Sequence, residues 1–515
     1  MKSRIRREPK EGQSMKIEIA KKNDNKEGFC AVLTGTSGNM GRETLKEIMT
    51  LDCVKKVKLL LTERPKNTVY AARLKRRYGE KVEIYRGSLA DESLCEKLVE
   101  KSNLVINMAA VIPPKSDKFS DKSYECNVLG VKALVEAMKK RAKNAALVHI
   151  SSVAVYGNRT MKNPFGRTGD PLMPSPYDNY ALHKCIGERF VMESGLDFWC
   201  VIRQTAMLHE NIMKANIRDG LMFHTPLNAP LEWVTARDSG VLMKRIAEAV
   251  ANGKAEPIRR KVFNLSGGSQ NRLTGYETYA QGFSIIGGTP EKFFKPNWFA
   301  TRNFHGMWFY DNELEDLFHY QNDTTKSFWA DMRRKHKLYS LAKILPPETL
   351  SKIVFNPLLD DENAPTGWIK DRKIGKVNAY FGSFEKAKEL SEEWDKTFVW
   401  CKQDGYEESK TDAYAEEHGL FLDHGYDESK PMEEWDIEDM KKAAEFRGGK
   451  CSSVSMVKGD AYAPLKWVCH DGHEFTATPY TVLKGGHWCD ECEKKENYSE
   501  QAKYSRFMAQ VVNAD

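Results

Sequence analysis

Thr34-Gly35-Thr36-Ser37-Gly38-Asn39-Met40-Gly41 follows directly on the apolar run Cys30-Ala31-Val32-Leu33, and the amphipathic segment MGRETLKEIMT (40–50) follows in turn. Glycines between a strand and a helix permit a tight turn, close approach of backbone to a pyrophosphate, and close helix-to-strand packing. The helix start adds free N–H groups and the positive end of its dipole. A glycine pattern alone is weak, but in this context it predicts a dinucleotide cradle built from Gly35, Ser37, Gly38, Asn39, Met40 and Gly41.

Working outward, apolar runs recur as VKLLLT (57–62), VEIYRG (82–87), LVINMAA (104–110), ALVHISS (146–152) and FWCVIRQ (198–204). Segments of helical spacing lie between them, such as ESLCEKLVEKS (92–102) and NVLGVKALVEAMKKRAK (127–143). This alternation predicts an α/β fold, a Rossmann-type doubly wound parallel sheet. We expect a polar tail over 1–27 and a catalytic domain over 28–330, with a core at about 28–205 and a small substrate subdomain at about 206–330. The aromatics between 283 and 330 are read as core of that subdomain. A charged helical extension (331–445), a small β module (446–495) and a tail (496–515) complete the chain.

Composition narrows the function class. With 41% hydrophobic and 29% charged residues in 515, the chain reads as an ordinary multidomain globular protein. It has no apolar run near the ~20 residues of a spanning helix, and no signal-peptide core, so a cytoplasmic location is expected. The net charge of +7 is small for this length and does not itself predict a nucleic-acid partner. Of the eleven cysteines, seven are scattered singly, which fits a reducing compartment.

The run ending at Ser151 and Ser152 precedes DNYALHK, where Tyr180 and Lys184 stand four apart on one helical face. A phenol with a reference pKa near 10 needs a neighbouring positive charge to serve as an acid–base group at neutral pH. Tyr180 would exchange a proton with a carbonyl or alcohol oxygen while hydride moves at the cofactor, Ser152 would hold that oxygen, and Lys184 would reach the nicotinamide ribose. The second run ends Thr62-Glu63-Arg64, with Lys66 beyond. Arg64 and Lys66 could neutralise a 2′-phosphate, which favours NADP over NAD, whereas Glu63 could serve NAD.

These features resemble the extended short-chain dehydrogenase/reductases, the NAD-dependent epimerase/dehydratase superfamily, over roughly residues 28–300. The resemblance rests on TGTSGNMG, NMAA (107–110), NVLG (127–130), SSVAVYG (151–157), YALHK (180–184) and WVTARDSG (233–240). It implies that Ser152, four residues before the tyrosine of the YG pair, is the catalytic serine. It further implies that Met108, Ala109 and Ala110 run beneath the cofactor and that Asn127 fixes the active-site helix. Ser88 and Leu89 would lie near the adenine, with Ser88 where an aspartate is usual. A homodimer formed through two helices, one carrying the tyrosine, is also implied. The sequence departs from the pattern at Gln204 and over Leu208–Glu232, which lacks the usual glycine-proline-arginine set. That departure points to an apolar alcohol, ketone or aldehyde as substrate, as in the hydroxysteroid-dehydrogenase-like branch. A nucleotide-sugar epimerase or dehydratase is the alternative, and a cofactor-binding scaffold or redox sensor that docks partners through the terminal module is a third reading.

That module contains WVCHDGHEFTATPYTVLKGGHWCDEC. Cys469 with His473, and Cys489 with Cys492, form two short-spaced pairs that suit a tetrahedral, structural zinc. His470 and His487 could replace His473, although the preceding glycine and the resemblance to zinc ribbons and treble clefs prefer His473. Modules of this kind accompany nucleic-acid enzymes, so nucleic-acid contact is conceivable, but packing or partner docking is the favoured role.

Overall fold

A computed structural model describes residues 28–213, 219–337, 339 and 344–493. Its centre is a seven-stranded, wholly parallel sheet. The strands are β1 (Phe29–Thr34), β2 (Val54–Leu61), β3 (Val82–Arg86), β4 (Leu104–Asn107), β5 (Ala146–Ser152), β6 (Trp199–Gln204) and β7 (Lys261–Leu265), in the order β7-β6-β5-β4-β1-β2-β3. The apolar runs of the sequence are its first six strands. The seventh returns from beyond the first part of the substrate region to close the edge beside β6. Strands such as Leu104–Asn107 are buried along their whole length, as expected where helices cover both faces.

Helices α1 (Asn39–Ile48), α2 (Pro65–Tyr78), α3 (Glu92–Val99), α4 (Gly130–Arg141), α5 (Asn179–Met192) and α6 (Ala236–Ala251) surround the sheet. Asp178 caps α5 by accepting a hydrogen bond from the Ala181 amide at 2.9 Å, and Asp91 and Thr235 cap α3 and α6 in the same way. Chain order reverses between β1 and β4, and this switch point opens a crevice at the carboxyl ends of the strands.

A three-stranded sheet (Ala206–Leu208, Pro230–Thr235, Arg272–Thr274) lies beyond the main one. Several aromatics from residue 283 onward are core. Phe283, Phe293, Phe294 and Phe299 bury against Phe223, Tyr279 and Phe355. Edge-to-face pairs such as Phe283–Phe294 and Phe294–Phe355, both 4.9 Å between centroids, order that cluster. The extension consists of short helical pieces, including Pro365–Lys370 and Ile374–Phe381, wrapped over the substrate region. Among the described residues no helix is long and apolar enough to cross a membrane.

The terminal module is an antiparallel sheet of β8 (Lys450–Cys451), β9 (Leu465–Val468) and β10 (Glu474–Ala477), followed by the short helix Pro479–Leu483. It is not a bead on a linker. Its buried residues Trp467, Phe475, Tyr480 and Val482 share one continuous core with Val191, Met192, Trp199 and Val201 of the part built on the seven-stranded sheet. Trp199 meets Tyr480 and Tyr462 edge-on at 5.9 and 6.5 Å, and the Tyr480 hydroxyl accepts a hydrogen bond from the Val262 amide at 2.9 Å. Because one core spans both parts, Trp199→Ala is expected to cost about 3–5 kcal/mol. Tyrosine fluorescence and far-UV ellipticity should still trace a single denaturation transition. Two separated transitions in the native protein would show that the module folds on its own.

Candidate active site

The glycine turn leads from β1 into α1. Gly35 has φ +70°, and a Cβ there would lie 2.6 Å from the Met108 carbonyl and 2.8 Å from the Ala109 nitrogen. At Gly41 a Cβ would sit 2.4 Å from the Gly35 oxygen. Both positions therefore require glycine. The Gly38 amide donates to the Gly35 carbonyl at 2.9 Å and closes the turn, which leaves Ser37, Gly38, Asn39 and Met40 at the start of α1. The Tyr70 hydroxyl donates to the Thr36 carbonyl at 2.9 Å, and the Arg42 guanidinium lies 5.0 Å over the Tyr70 ring. The sequence reading passed over Arg42, because it stands outside the glycine pattern. Arg64 and Lys66 are exposed at the end of β2, and Asn67 fixes that corner by donating to the Thr62 hydroxyl at 2.8 Å.

The segment after β4 is tied to the turn by one side chain. The Thr34 hydroxyl donates to Asn107 Oδ1 at 2.6 Å and accepts from the Met108 and Ala109 amides, each at 3.1 Å. Asn127, fully buried, then clamps the following residues. It accepts from the Val111 amide and donates to the Val111 carbonyl, both at 2.9 Å. Met108, Ala109 and Ala110 thus run past the cradle. Ser88 donates to Glu125 at 2.9 Å, and Leu89 is buried beneath Gly130.

Strand alternation separates the two serines at the end of β5. Both are buried, and Ser152 is the one hydrogen-bonded with the Tyr180 hydroxyl. Lys184 is 2% exposed, donates to the Ile150 carbonyl at 2.8 Å and lies 6.0 Å from the Tyr180 ring. Ser152, Tyr180 and Lys184 are therefore brought together at the carboxyl end of the sheet, with the glycine turn across the crevice.

The electrostatics differ from the simple expectation that Lys184 lowers the Tyr180 pKa. Burial raises the phenol to about 12, against the hydrogen bond from Ser152 and helped by the Asp178 charge. Burial also lowers Lys184 from 10.5 to about 8. Near neutral pH both groups hold their protons, so the protein alone does not form the phenolate.

Charged groups from separate segments surround the start of α5. His305 meets the Asp178 carboxylate at 2.8 Å. The Asp117 carboxyl is pushed up to about 6, by burial first and by the Asp178 charge next, while His305 and Lys376 oppose the rise. Lys376, from the extension, lies 5.0 Å over the Trp368 ring. These residues were not singled out from the sequence, because no short spacing links them.

In the terminal module Cys469, His473, Cys489 and Cys492 present ligand atoms that all lie within 4.8 Å of one another. His473 Nδ1 is 3.4, 3.6 and 3.4 Å from the sulfurs of Cys469, Cys489 and Cys492. His487 turns away from this group to Glu188, and Cys451 lies outside it.

A depressed folded-state pKa at Lys184 has a defined sign. Between about 8 and 10.5 the unfolded chain binds this proton and the folded chain does not, so stability from this group rises with pH over that window. Lys184→Met should gain stability relative to the native protein at pH 7, and that gain should shrink by pH 10. Urea denaturation at both pH values measures it, and a pH-independent difference would count against a buried ammonium.

Residues 31–258 match the family model described as "NAD dependent epimerase/dehydratase family". No curated protein matches the chain. Similar solved structures include dTDP-glucose 4,6-dehydratase from Bacillus anthracis str. Ames in complex with NAD. It is 17% identical, with coverage of 61% of this chain and 98% of that one and a TM-score of 0.47. UDP-glucose 4-epimerase from Bifidobacterium longum, in complex with NAD+ and UDP, is 16% identical over 60% of this chain and 98% of that one, with a TM-score of 0.45. The DesIV double mutant, a dTDP-glucose 4,6-dehydratase from Streptomyces venezuelae with NAD and DAU bound, is 18% identical over 61% and 99%, with a TM-score of 0.47. Over residues 31–258 the chain is similar to the NAD dependent epimerase/dehydratase family, and the parallel sheet order and the glycine turn lie in that same span.

Proposed function

We propose that the chain is a nicotinamide-dependent enzyme that moves a hydride at a hydroxyl- or carbonyl-bearing carbon of a hydroxyl-rich substrate. A nucleotide-linked sugar is favoured over an apolar alcohol or ketone. The observation that carries this reading is the meeting of Ser152, Tyr180 and Lys184 beside the glycine turn. The family match supports the sugar-nucleotide alternative over the hydroxysteroid-like reading.

Bound in the crevice, the nicotinamide would accept or return hydride. Gly35, Ser37, Gly38, Asn39, Met40 and Gly41 would hold the pyrophosphate, Ser88 and Leu89 would border the adenine, and Met108, Ala109 and Ala110, braced by Asn127, would line the floor. The exposed Arg64 favours NADP at the ribose. Tyr180 would exchange the proton with the substrate oxygen, Ser152 would orient that oxygen, and Lys184 would reach the nicotinamide ribose, while the positive charge of a bound oxidised cofactor would favour the phenolate that the protein alone disfavours. Homodimerisation belongs to the same reading, since Tyr124, Leu129 and Phe190 stand exposed around α4 and α5.

Tyr180→Phe should lower kcat by about a thousandfold and leave cofactor affinity nearly unchanged. Turnover is followed with UDP- and dTDP-hexoses, and with cyclic ketones and aldehydes, supplying NAD or NADP. A variant as active as the native protein would overturn the role of Tyr180, and turnover of the apolar ketones alone would overturn the substrate class.

The terminal cluster is part of the proposal as a structural zinc site. Three sulfurs and one imidazole match a tetrahedral donor set and leave no position for a reacting water. Elemental analysis of the purified protein should find about one zinc per chain. Less than half an equivalent would refute the assignment.

A further inference from the structure

The stretch between the module's helix and its last two cysteines is gripped at each of its residues by another part of the molecule. The Gly485 carbonyl accepts from Arg203 on β6, and that of Gly486 accepts from the Leu172 amide at 3.1 Å. The His487 carbonyl accepts from Arg447 at 3.0 Å, and that of Trp488 from Arg189 on α5 at 2.9 Å. Cys489 follows immediately. The His487 imidazole donates through Nε2 to Glu188 of α5 at 3.0 Å, and both side chains are fully buried. The space is as tight as the bonding: a Cβ at Gly486 would stand 2.0 Å from the Asp170 oxygen.

Two consecutive residues of α5, Glu188 and Arg189, are therefore held by the two residues that precede Cys489. Lys184 lies one helical turn before Glu188 on the same face. A shift of α5 at Glu188 is carried to Lys184 and Tyr180, because the helix moves as a rigid element.

We propose that His487 is a positioning residue, through which metal binding in the terminal module fixes the reactive helix α5. The inference rests on the metal site and on the Ser152–Tyr180–Lys184 reading proposed above. With four ligands bound, Cys489 and Cys492 are pinned to Cys469 and His473, and the 485–488 stretch keeps its grip on α5. Without metal, the hold on Cys489 falls back on His473 Nδ1 at 3.6 Å and on the edge-on packing of Trp488 against Trp467 and Phe475, and the anchoring stretch is loosened. The metal then acts on catalysis without touching substrate or cofactor.

The test uses the full chain and hydrogen exchange, so it needs no substrate. Zinc is stripped with a chelator under reducing conditions and quantified on the same sample, and exchange is compared for peptides covering 179–192 and 29–61. On metal loss, exchange in 179–192 should rise by about tenfold or more, while 29–61 keeps its protection. Added zinc should reverse the change. His487→Ala with its metal retained should loosen 179–192 in the same way and weaken NADPH binding, read by cofactor fluorescence. His487→Gln, which keeps a donor towards Glu188, should recover most of both.

Unchanged exchange in 179–192 after metal release would overturn the proposal. So would an equal rise across 29–61, which would mark general unfolding, or a His487→Ala protein that behaves as the native one. The readouts separate this inference from its premises. An absence of zinc in the purified protein appears in the metal content, and an active Tyr180→Phe protein appears in turnover, each independently of the exchange result.

Discussion

A carboxylate and a guanidinium buried without any solvent exposure govern the arrangement of this molecule. Glu188 on α5 faces Arg203 on β6, and both side chains are 0% exposed. Burial alone would push the Glu188 carboxyl up, but Arg203 first and His487 next pull it down to about 2. Such a pair is tolerated only where the remaining donors are satisfied, since the desolvation of two ions can exceed their attraction. Here they are satisfied from every side. Arg203 donates onward to the Tyr156 hydroxyl at 2.7 Å and to the Gly485 carbonyl. Tyr156 donates to Asn264 on β7 at 2.8 Å, and Asn264 donates to Asp311 at 3.0 Å. One buried network thus joins the reactive helix, the two strands at the sheet edge, the segment after residue 306 and the terminal module. Its worth lies in the single arrangement it permits more than in net stability.

That network has a consequence for the chemistry. Tyr180 and Lys184 lie at the end of α5 nearer the crevice, and both hold their protons in the protein as it stands. The phenolate that the proposed proton transfer calls for is therefore costly unless further positive charge arrives beside it. The protein supplies geometry in advance, through the Ser152 hydrogen bond and the Lys184 anchor on Ile150, and leaves the final electrostatic adjustment to binding. An unliganded site of this kind has little reactive phenolate to spend on unwanted proton exchange.

Much of this was legible in the sequence, for identifiable reasons. Buried parallel strands are continuous apolar runs, so the first six strands stood out, and the glycine turn was readable because Gly35 and Gly41 are positions where a Cβ collides with backbone. The Cys/His cluster was readable because its residues come in short-spaced pairs. What could not be read were contacts between distant single residues. His487 meets Glu188 across 299 residues, and His424 meets Asp170 across 254, with no periodicity to announce either. In sequence terms His487 was a spare zinc ligand, and only the fold shows that its ring faces the other way.

The same limit explains why the sequence pointed to an apolar substrate. The stretch Leu208–Glu232 lacks the basic pattern of sugar-nucleotide enzymes, and taken alone that suggests an apolar pocket. In the folded chain, part of this stretch is occupied with holding the extension. A Cβ at Gly220 would lie 2.8 Å from Ala364, and His224 packs on Trp368 at 4.7 Å between ring centroids while bonding the Asn363 carbonyl. The extension in turn reaches the start of α5, where the Tyr380 hydroxyl donates to the Pro176 carbonyl at 3.3 Å, and it brings Lys376 towards Asp117. Residues of this stretch are thus committed to an internal interface with a segment more than a hundred residues later. The departure of Leu208–Glu232 from the sugar-nucleotide pattern thus goes together with its packing against the extension.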